Sequence, residues 1–186
     1  MKIAVFCGSS FGRQAIYEER ARLLGQTLAA RKIELVFGGG HVGLMGAVAD
    51  AVLEAGGRVT GVIPTALQEK EIAHSGLSEL IVVKDMHERK AKMAELADAF
   101  VAMPGGAGTL EEIFEAWTWA MLGYHRKPCA FFNVNGYYDK LLEFIAYMVD
   151  ESFLRPGFQE KLLIEQHPEA LLEAIERYES PAAKWD

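Results

Sequence analysis

The sequence predicts an α/β protein in which a doubly wound, mostly parallel β-sheet carries helices on both faces. Short runs of β-branched or aromatic residues alternate with longer runs of helical period, which is the pattern of βαβ units. The 186 residues are close to one typical domain length, and the apolar fraction of 51% supplies an ordinary core. We therefore expect one domain over residues 1–179, followed by a frayed tail over 180–186.

The individual elements follow from the same pattern. Six runs and a weaker seventh predict strands, which are Ile3–Cys7, Ile33–Phe37, Arg58–Ile63, Leu80–Val83, Ala99–Met103, Pro128–Asn133 and the weak Leu162–Ile164. Helical periodicity predicts helices near residues 16–31, 43–55, 87–97, 109–122, 137–150 and 168–178. Residues 64–78 are predicted to be loosely structured, because no periodic signal covers them.

The charge balance argues against several classes of partner. A formal net charge of -7 repels polyanions, so we expect neither nucleic acid nor an anionic membrane surface to bind. We find no signal-peptide core and no membrane-spanning apolar run, which indicates a cytoplasmic protein. Cys7 and Cys129 lie in separate apolar runs, which predicts buried, inert thiols, and the Cys and His spacings predict no metal site.

A first glycine-rich loop, residues 38–43, follows a predicted strand and opens a helix. It matches G-x-G-x-x-G, a pattern that holds phosphate on a helix N-terminus. A dinucleotide site also needs an acidic residue at the end of the next strand, where residues 62–65 supply none. We therefore reject NAD and FAD, and two interpretations remain: support of a mononucleotide, or close backbone packing that only glycine allows. The Walker sequence of ordinary kinases and ATPases is also absent.

A second glycine-rich loop, Pro104 to Thr109, also leads from a strand into a helix. Its backbone N–H groups can face an anion. Thr109 and Glu112 also form a capping-box pattern, in which Thr109 would cap the helix. Both glycine loops are predicted at the carboxyl edge of the sheet, where open α/β sheets bind ligands, and this favours a ligand-binding role.

Basic residues cluster in the first turns of the helix that follows Asp85, itself a predicted N-cap paired with Glu88. The helix dipole disfavours cations there, so Arg89, Lys90 and Lys92 require compensation. Either they form a solvated face paired with acidic neighbours, or Arg89 or Lys90 meets a ligand phosphate or an active-site carboxylate.

The predicted helix over 109–122 is apolar on all sides. Leu110, Ile113, Phe114, Trp117 and Met121 form one stripe, and Ala116, Trp119 and Ala120 form another. A second apolar face indicates burial against another subunit or, alternatively, against the C-terminal helix of the same chain.

Three motifs together resemble the LOG ("Lonely Guy") family of cytokinin riboside 5'-monophosphate phosphoribohydrolases. They are Gly38-Gly39-Gly40-x-x-Gly43-Leu44-Met45-Gly46, Met86-His87-Glu88-Arg89-Lys90 and Pro104-Gly105-Gly106-x-Gly108-Thr109-x-x-Glu112. The resemblance implies a Rossmann-like fold, at least a dimer with sites near the subunit interface, and cleavage of AMP or N6-substituted AMP into base and ribose 5-phosphate, with no cofactor. Relatives often carry Gln where this chain has Met121.

The resemblance also implies roles for individual residues. Arg89 and Glu112 would form the catalytic pair, and the substrate would contact Glu71, Met86, Lys90, Gly105, Gly106, Ala107, Gly108, Thr109, Glu111 and Thr118. Breaking the C1'–N9 bond makes the ribose cationic, so a carboxylate such as Glu112 can stabilise it and orient water. Arg89 stays charged and cannot serve as a general acid.

Two other functions remain as alternatives. One is a non-catalytic nucleotide or molybdenum-cofactor carrier, against which the presence of both Arg89 and Glu112 argues. The other is the decarboxylase label long given to bacterial relatives, which requires pyridoxal phosphate on a lysine and an acidic partner for its ring nitrogen. The sequence assigns neither residue.

Overall fold

Seven parallel strands form a single sheet in the computed structural model, which describes residues 1–68 and 73–183. The strands are β1 (Lys2–Phe6), β2 (Glu34–Phe37), β3 (Val59–Pro64), β4 (Glu79–Val83), β5 (Ala99–Ala102), β6 (Cys129–Phe132) and β7 (Leu163–Glu165). Their order across the sheet is β4-β3-β2-β1-β5-β6-β7, and every neighbouring pair is parallel. The predicted fold class is confirmed, including the weak seventh strand.

Helices connect the strands. They are α1 (Ala15–Ala30), α2 (Gly43–Glu54), α3 (Thr65–Gln68), α4 (Met86–Leu96), α5 (Ala107–Met121), α6 (Asp139–Asp150), α7 (Pro156–Glu160) and α8 (Pro168–Glu176), with a short 3-10 helix at Val134–Gly136. The six predicted helices are confirmed within a few residues. The short α3 and α7 were not predicted, and α3 lies at the start of the stretch expected to be loosely structured.

The order in which strands are added to the sheet reverses between β1 and β5. The segments up to β4 build one side of the sheet from β1, and the later segments build the other side from β5. In open α/β sheets, the crevice outside the carboxyl ends of two such strands is the usual place for a ligand. The loops that follow β1 and β5 therefore lie at the centre of the candidate site.

Two hydrophobic cores lie on opposite faces of the sheet, as the alternation of β1 shows. Ile3 and Val5 pack with buried residues of α1, α2 and α8, whereas Ala4 and Phe6 pack with buried residues of α4 and α5 and with Ile145 of α6. Side chains of a strand point alternately to the two faces of the sheet, so one apolar strand supplies buried residues to both cores. Helices therefore cover both faces, as predicted.

The apolar helix α5 buries Ile113, Ala116 and Trp117 in the second core. Residues 180–183 do not extend away from the fold: Pro181 lines a small cleft beside Ala120. The C-terminal segment, rather than the C-terminal helix itself, therefore covers part of the second apolar stripe.

Membrane insertion has no support in this architecture. Among the helices within residues 1–68 and 73–183, none combines the length and apolarity that a bilayer span requires.

Close contact between α1 and α2 depends on Gly25. A Cβ atom at Gly25 would lie 2.6 Å from the Val48 carbonyl oxygen and 2.8 Å from the Ala51 Cβ. We expect Gly25→Ala to lower the free energy of unfolding by about 1–3 kcal/mol, because overpacking forces the two helices apart. Gly157→Ala is the matched control, since no atom lies within 4 Å of a Cβ built there. Urea denaturation measures both variants, and an unchanged midpoint for Gly25→Ala would contradict this packing argument.

Candidate active site

Two cavities open at the carboxyl edge of β1 and β5. The larger, about 350 Å³, is called here the Glu112 cavity, and it is lined by Cys7, Gly8, Ser9, Met45, Met86, Arg89, Gly106, Ala107, Gly108, Thr109, Glu111 and Glu112. The second, about 300 Å³, is called the aromatic cavity, and its lining includes Phe11, Tyr17 and Tyr137. Gly8, Ser9 and Gly106 line both cavities.

Arg89 places a buried charge beside the Glu112 cavity. Only 8% of the residue is exposed, and its Nη2 lies 3.8 Å from Oε1 of Glu112. Nη1 donates to the Met86 sulfur at 3.7 Å, which is a weak acceptor. Nε has no hydrogen-bond partner among the described residues. An unpaired buried donor costs roughly 1–3 kcal/mol, so the fold keeps Arg89 in this position at a cost in stability.

The first glycine loop makes room for this arginine. A Cβ atom at Gly38 would lie 1.7 Å from Nη2 of Arg89, so any side chain at this position would displace the guanidinium. Gly43 has φ +58°, and a Cβ there would lie 2.3 Å from the Ser10 backbone nitrogen. Among the described residues, none of positions 38–43 lines either cavity. Of the two interpretations of this loop, the structure supports close backbone packing.

Glu112 is a largely buried carboxyl group that can be neutral or ionised near neutral pH. Its side chain is 13% exposed. Burial raises the pKa of Glu112 to about 7, although the positive charge of Arg89 lowers it and the neighbouring Glu111 raises it further. Both the neutral and the ionised form are therefore accessible near neutral pH, which suits a group that stabilises charge or handles a proton.

The second glycine loop ends in the first turn of α5, which begins at Ala107. Gly106 occupies the N-cap position with an extended conformation and no side-chain cap. The predicted capping box of Thr109 with Glu112 is therefore wrong, because the helix starts two residues before Thr109 and Glu112 lies beyond its first turn. The first amides of a helix have no acceptor within it, and residues 106–108 are exposed, so these N–H groups are available to an anion.

Glycine is required at position 105 in this loop. A Cβ atom there would lie 2.1 Å from Oγ1 of Thr109, which is itself buried. The backbone at Gly105 therefore packs directly against the Thr109 side chain in the first turn of α5.

Lys90 is engaged by two carboxylates. Its Nζ donates to Glu111 and, at 3.1 Å, to Glu115, and the side chain is 10% exposed. Burial alone would lower the pKa of Lys90, but the hydrogen bonds that it donates to Glu111 and Glu115 raise it above its usual value. Lys90 therefore carries a proton and holds α4 to α5 rather than lining the Glu112 cavity.

The N-terminus of α4 is capped as predicted. The Asp85 side chain accepts a hydrogen bond from the Glu88 amide at 2.9 Å, and Glu88 accepts one from the Lys84 amide at 2.7 Å. Lys92 pairs with Glu95, as the solvated interpretation requires. The basic cluster thus divides: Arg89 meets the carboxylate of Glu112, whereas Lys90 and Lys92 form ion pairs.

The other residues predicted to contact the substrate do not all lie in the Glu112 cavity. Met86 lines the Glu112 cavity, and Gly105 lines the aromatic cavity. Thr118 lies in a separate surface cavity with Leu122 and Phe153, so this chain does not bring it to Glu112. Glu71 lies outside the described residues.

The sequence interpretation missed the contribution of the loop after β1. Cys7, Gly8 and Ser9 all line the Glu112 cavity, and Met45 of α2 joins them. The available signal was position: this loop leaves the central strand, next to the point where strand order reverses. Cys7 and Cys129 are buried free thiols whose pKa burial raises, as predicted.

Across the part of the chain that the structure describes, His, Cys, Asp and Glu side chains form no group of three that could hold a metal ion.

Comparison with known proteins decides the family. A family model described as possible lysine decarboxylase matches residues 45–175. A cytokinin riboside 5'-monophosphate phosphoribohydrolase of Arabidopsis thaliana is 50% identical over 178 residues, which cover 96% of this chain and 82% of the relative. The chain belongs to the LOG family. An enzyme of the same name from Rhodococcoides fascians is 48% identical, covering 93% of this chain and 88% of that LOG protein. This LOG protein is therefore a hydrolase that acts on N-glycosyl bonds.

Solved structures show the same fold at greater distance. A molybdenum cofactor binding protein from Rippkaea orientalis has a TM-score of 0.71 with 22% identity, covering 94% of both chains. The molybdenum cofactor carrier protein of Chlamydomonas reinhardtii has a TM-score of 0.70 with 19% identity, covering 95% of this chain and 96% of that one. At these identities the likeness concerns the fold alone.

Glu112 should make the protein less stable as pH rises from about 5 to 8. Its pKa is about 7 in the folded protein, against an ordinary value of 4.5 for a solvated glutamate. The stabilisation by the bound proton is complete below the unfolded pKa and is lost as pH rises through the folded pKa. We expect this loss to be on the order of 2 kcal/mol and to be absent in Glu112→Gln.

Urea unfolding at several pH values measures this difference. Glu95→Gln is the control, because Glu95 is an exposed carboxylate paired with Lys92, and this variant should keep the parent's pH dependence. An equal loss of stability in the parent and in Glu112→Gln would contradict the raised pKa.

Proposed function

We propose that this LOG protein hydrolyses the N-glycosidic bond of AMP or of an N6-substituted, cytokinin-type AMP, releasing the free base and ribose 5-phosphate. One observation carries the proposal: the buried pair of Arg89 and Glu112 shares a single cavity with the exposed first turn of α5. An anion-binding turn and a carboxyl group that can ionise near neutral pH are two elements that suit cleavage of a nucleoside monophosphate.

The phosphate is proposed to bind at Gly106, Ala107, Gly108 and Thr109. The positive end of the α5 dipole and its unpaired amides favour a dianion at this turn. Glu112 follows Thr109 by three residues, so it lies about one turn along the same helix and on nearly the same face. A ribose 5-phosphate anchored at the turn would therefore extend towards Glu112.

Glu112 in its ionised form is proposed to act on C1' of the ribose. As the C1'–N9 bond breaks, its electron pair leaves with the purine and positive charge develops on the sugar, which the carboxylate stabilises. A water molecule oriented by the carboxylate adds its oxygen to C1' and gives up a proton. The purine takes up a proton from solvent, because the Arg89 guanidinium does not release one at working pH.

Arg89 is proposed to fix the substrate and the carboxylate together. Nη2 faces Glu112, and Nε is a buried donor with no acceptor among the described residues. Arg89 lines the Glu112 cavity, so its guanidinium could donate to a ribose hydroxyl or a phosphate oxygen of a bound substrate.

The relatives support a nucleotide substrate of this kind. Both the plant and the bacterial relative are named as enzymes acting on cytokinin riboside 5'-monophosphate. Plain AMP shares the phosphate, the ribose and the N-glycosidic bond, so we include it in the proposal.

The decarboxylase and carrier alternatives have less support. A decarboxylase of that type forms an imine from a neutral lysine amine, whereas Glu111 and Glu115 raise the pKa of Lys90. The molybdenum-cofactor proteins share only the fold at 19–22% identity, whereas the hydrolases are about half identical.

Glu112→Gln should lower kcat for the preferred nucleotide by about 100-fold or more and change KM little, because the amide keeps the shape but not the charge. Chromatography of the released base measures turnover on AMP, isopentenyl-AMP, IMP, GMP and CMP. Adenosine is the phosphate-free control and should be a far poorer substrate. Full activity of Glu112→Gln would remove this residue from the mechanism, and equal turnover of adenosine would remove the phosphate turn.

We further propose that the enzyme functions as a homodimer. Phe153 is 88% exposed and shares a surface cavity with Thr118 of α5 and with Leu122, which follows that helix. Phe144 and Tyr147 expose a pair of contacting rings. Exposed aromatic surface of this kind is typical of an interface. Association would also give Thr118 a route to a substrate held by the partner subunit.

Sedimentation equilibrium tests the dimer, and we expect twice the mass of one chain. Phe153→Glu should weaken association by at least tenfold, because it places a charge in an apolar contact. Tyr124→Phe, an exposed change that keeps the ring, is the control. A monomeric parent protein would contradict the proposal.

A further inference from the structure

In the loop that follows β5, three consecutive backbone carbonyl oxygens each accept a hydrogen bond. The Met103 oxygen accepts from the Tyr138 hydroxyl at 2.6 Å, the Pro104 oxygen from the Gly8 amide at 3.0 Å, and the Gly105 oxygen from the Tyr137 hydroxyl at 2.5 Å. Two of these three donors are neighbouring tyrosines at the start of α6. The loop conformation therefore depends on a segment about 30 residues further along the chain.

We propose that Tyr137 is a positioning residue for phosphate, acting through the peptide bond between Gly105 and Gly106. The C=O and N–H groups of a trans peptide point in opposite directions. When the Tyr137 hydroxyl holds the Gly105 oxygen, it also directs the Gly106 N–H away from Tyr137. Gly106 is the N-cap of α5, so this amide belongs to the turn proposed to bind the anion.

The ring of Tyr137 is itself held in place by aromatic neighbours. It packs edge-on against Tyr138 with ring centroids 5.0 Å apart, and against Tyr17 at 5.8 Å. Tyr138 is buried and packs against Phe131 of β6. The hydroxyl of Tyr137 is therefore presented by a rigid group, although the residue is 44% exposed.

A tight turn before α6 sets the two tyrosines side by side. Asn135 and Gly136 both have positive φ, and the buried Asn133 accepts from the Tyr138 amide at 2.8 Å and donates to Asp139 at 2.7 Å. This arrangement fixes the backbone on both sides of Tyr137. The proposed function leaves Tyr137 without a role.

The inference rests on the proposed phosphate turn but not on the reaction. If Tyr137 orients the Gly106 amide, loss of its hydroxyl should weaken every ligand that carries the phosphate, whether or not a bond is broken. The interaction is made equally with substrate and transition state, so it should change KM and leave kcat unchanged.

Tyr137→Phe tests this directly, because it removes the hydroxyl and keeps the ring. We expect the Kd for ribose 5-phosphate, measured by calorimetry, to rise roughly fivefold, which is the effect of one neutral hydrogen bond. We expect KM for AMP to rise by a similar factor, with kcat within about twofold of the parent.

Tyr17→Phe is the matched control. It removes a hydroxyl from the adjacent ring of the same cavity without touching the bond to Gly105, so Kd and KM should remain those of the parent. Thermal unfolding of both variants checks that the fold is intact. An unchanged Kd for ribose 5-phosphate in Tyr137→Phe, or a loss of kcat at constant Kd, would overturn the positioning role.

The two proposals fail separately in this design. A parent protein that binds ribose 5-phosphate but cleaves no nucleotide would contradict the proposed reaction, while a rise in Kd for Tyr137→Phe would still support the role of Tyr137.

Discussion

Burial of the Arg89 charge is the constraint on which the arrangement of this site depends. A guanidinium removed from water costs several kcal/mol unless opposite charge and hydrogen bonds compensate it. Glu112 supplies the charge at 3.8 Å, and Gly38 supplies the space, since a side chain there would occupy the position of Nη2. The cap at Asp85 starts α4 so that Arg89 falls in its first turns. Two loops and the helix α5, which follow three different strands, are thus tied to one cation.

The same pair shows how an acidic protein can hold an anionic ligand. The chain carries a formal net charge of -7, which disfavours polyanions at long range. Within the Glu112 cavity, however, Arg89 and the amides at the start of α5 supply positive charge close to a ligand, and solvent screens it less there than at the surface. The net charge therefore disfavours polyanions at the surface, whereas local positive groups can still favour a small anion in the cavity.

The sequence predicted most of the fold because each strand is a short apolar run and each long helix is periodic. It missed α3 and α7, which have four and five residues, too few to show a helical period. Arg89 and Glu112 were predicted to lie together and do line one cavity, but their separation could not be obtained from spacing, since it depends on how α4 and α5 pack. Thr109 was misassigned as a possible cap because its pattern matches one, whereas the extended backbone of Gly106 starts the helix earlier. Gly8 and Ser9 carry no charge and gave no chemical signal, so only the strand order revealed them.

Cys7 lies in the wall of the Glu112 cavity, where burial and the nearby carboxylate both raise the pKa of its thiol. Oxidants and alkylating reagents attack the thiolate, which is scarce at such a position. The protein therefore has a sulfur atom in the wall of this cavity but presents little thiolate there. Peroxide or iodoacetamide should leave it largely intact, and covalent inhibitors aimed at cysteine would find a poor target in this site.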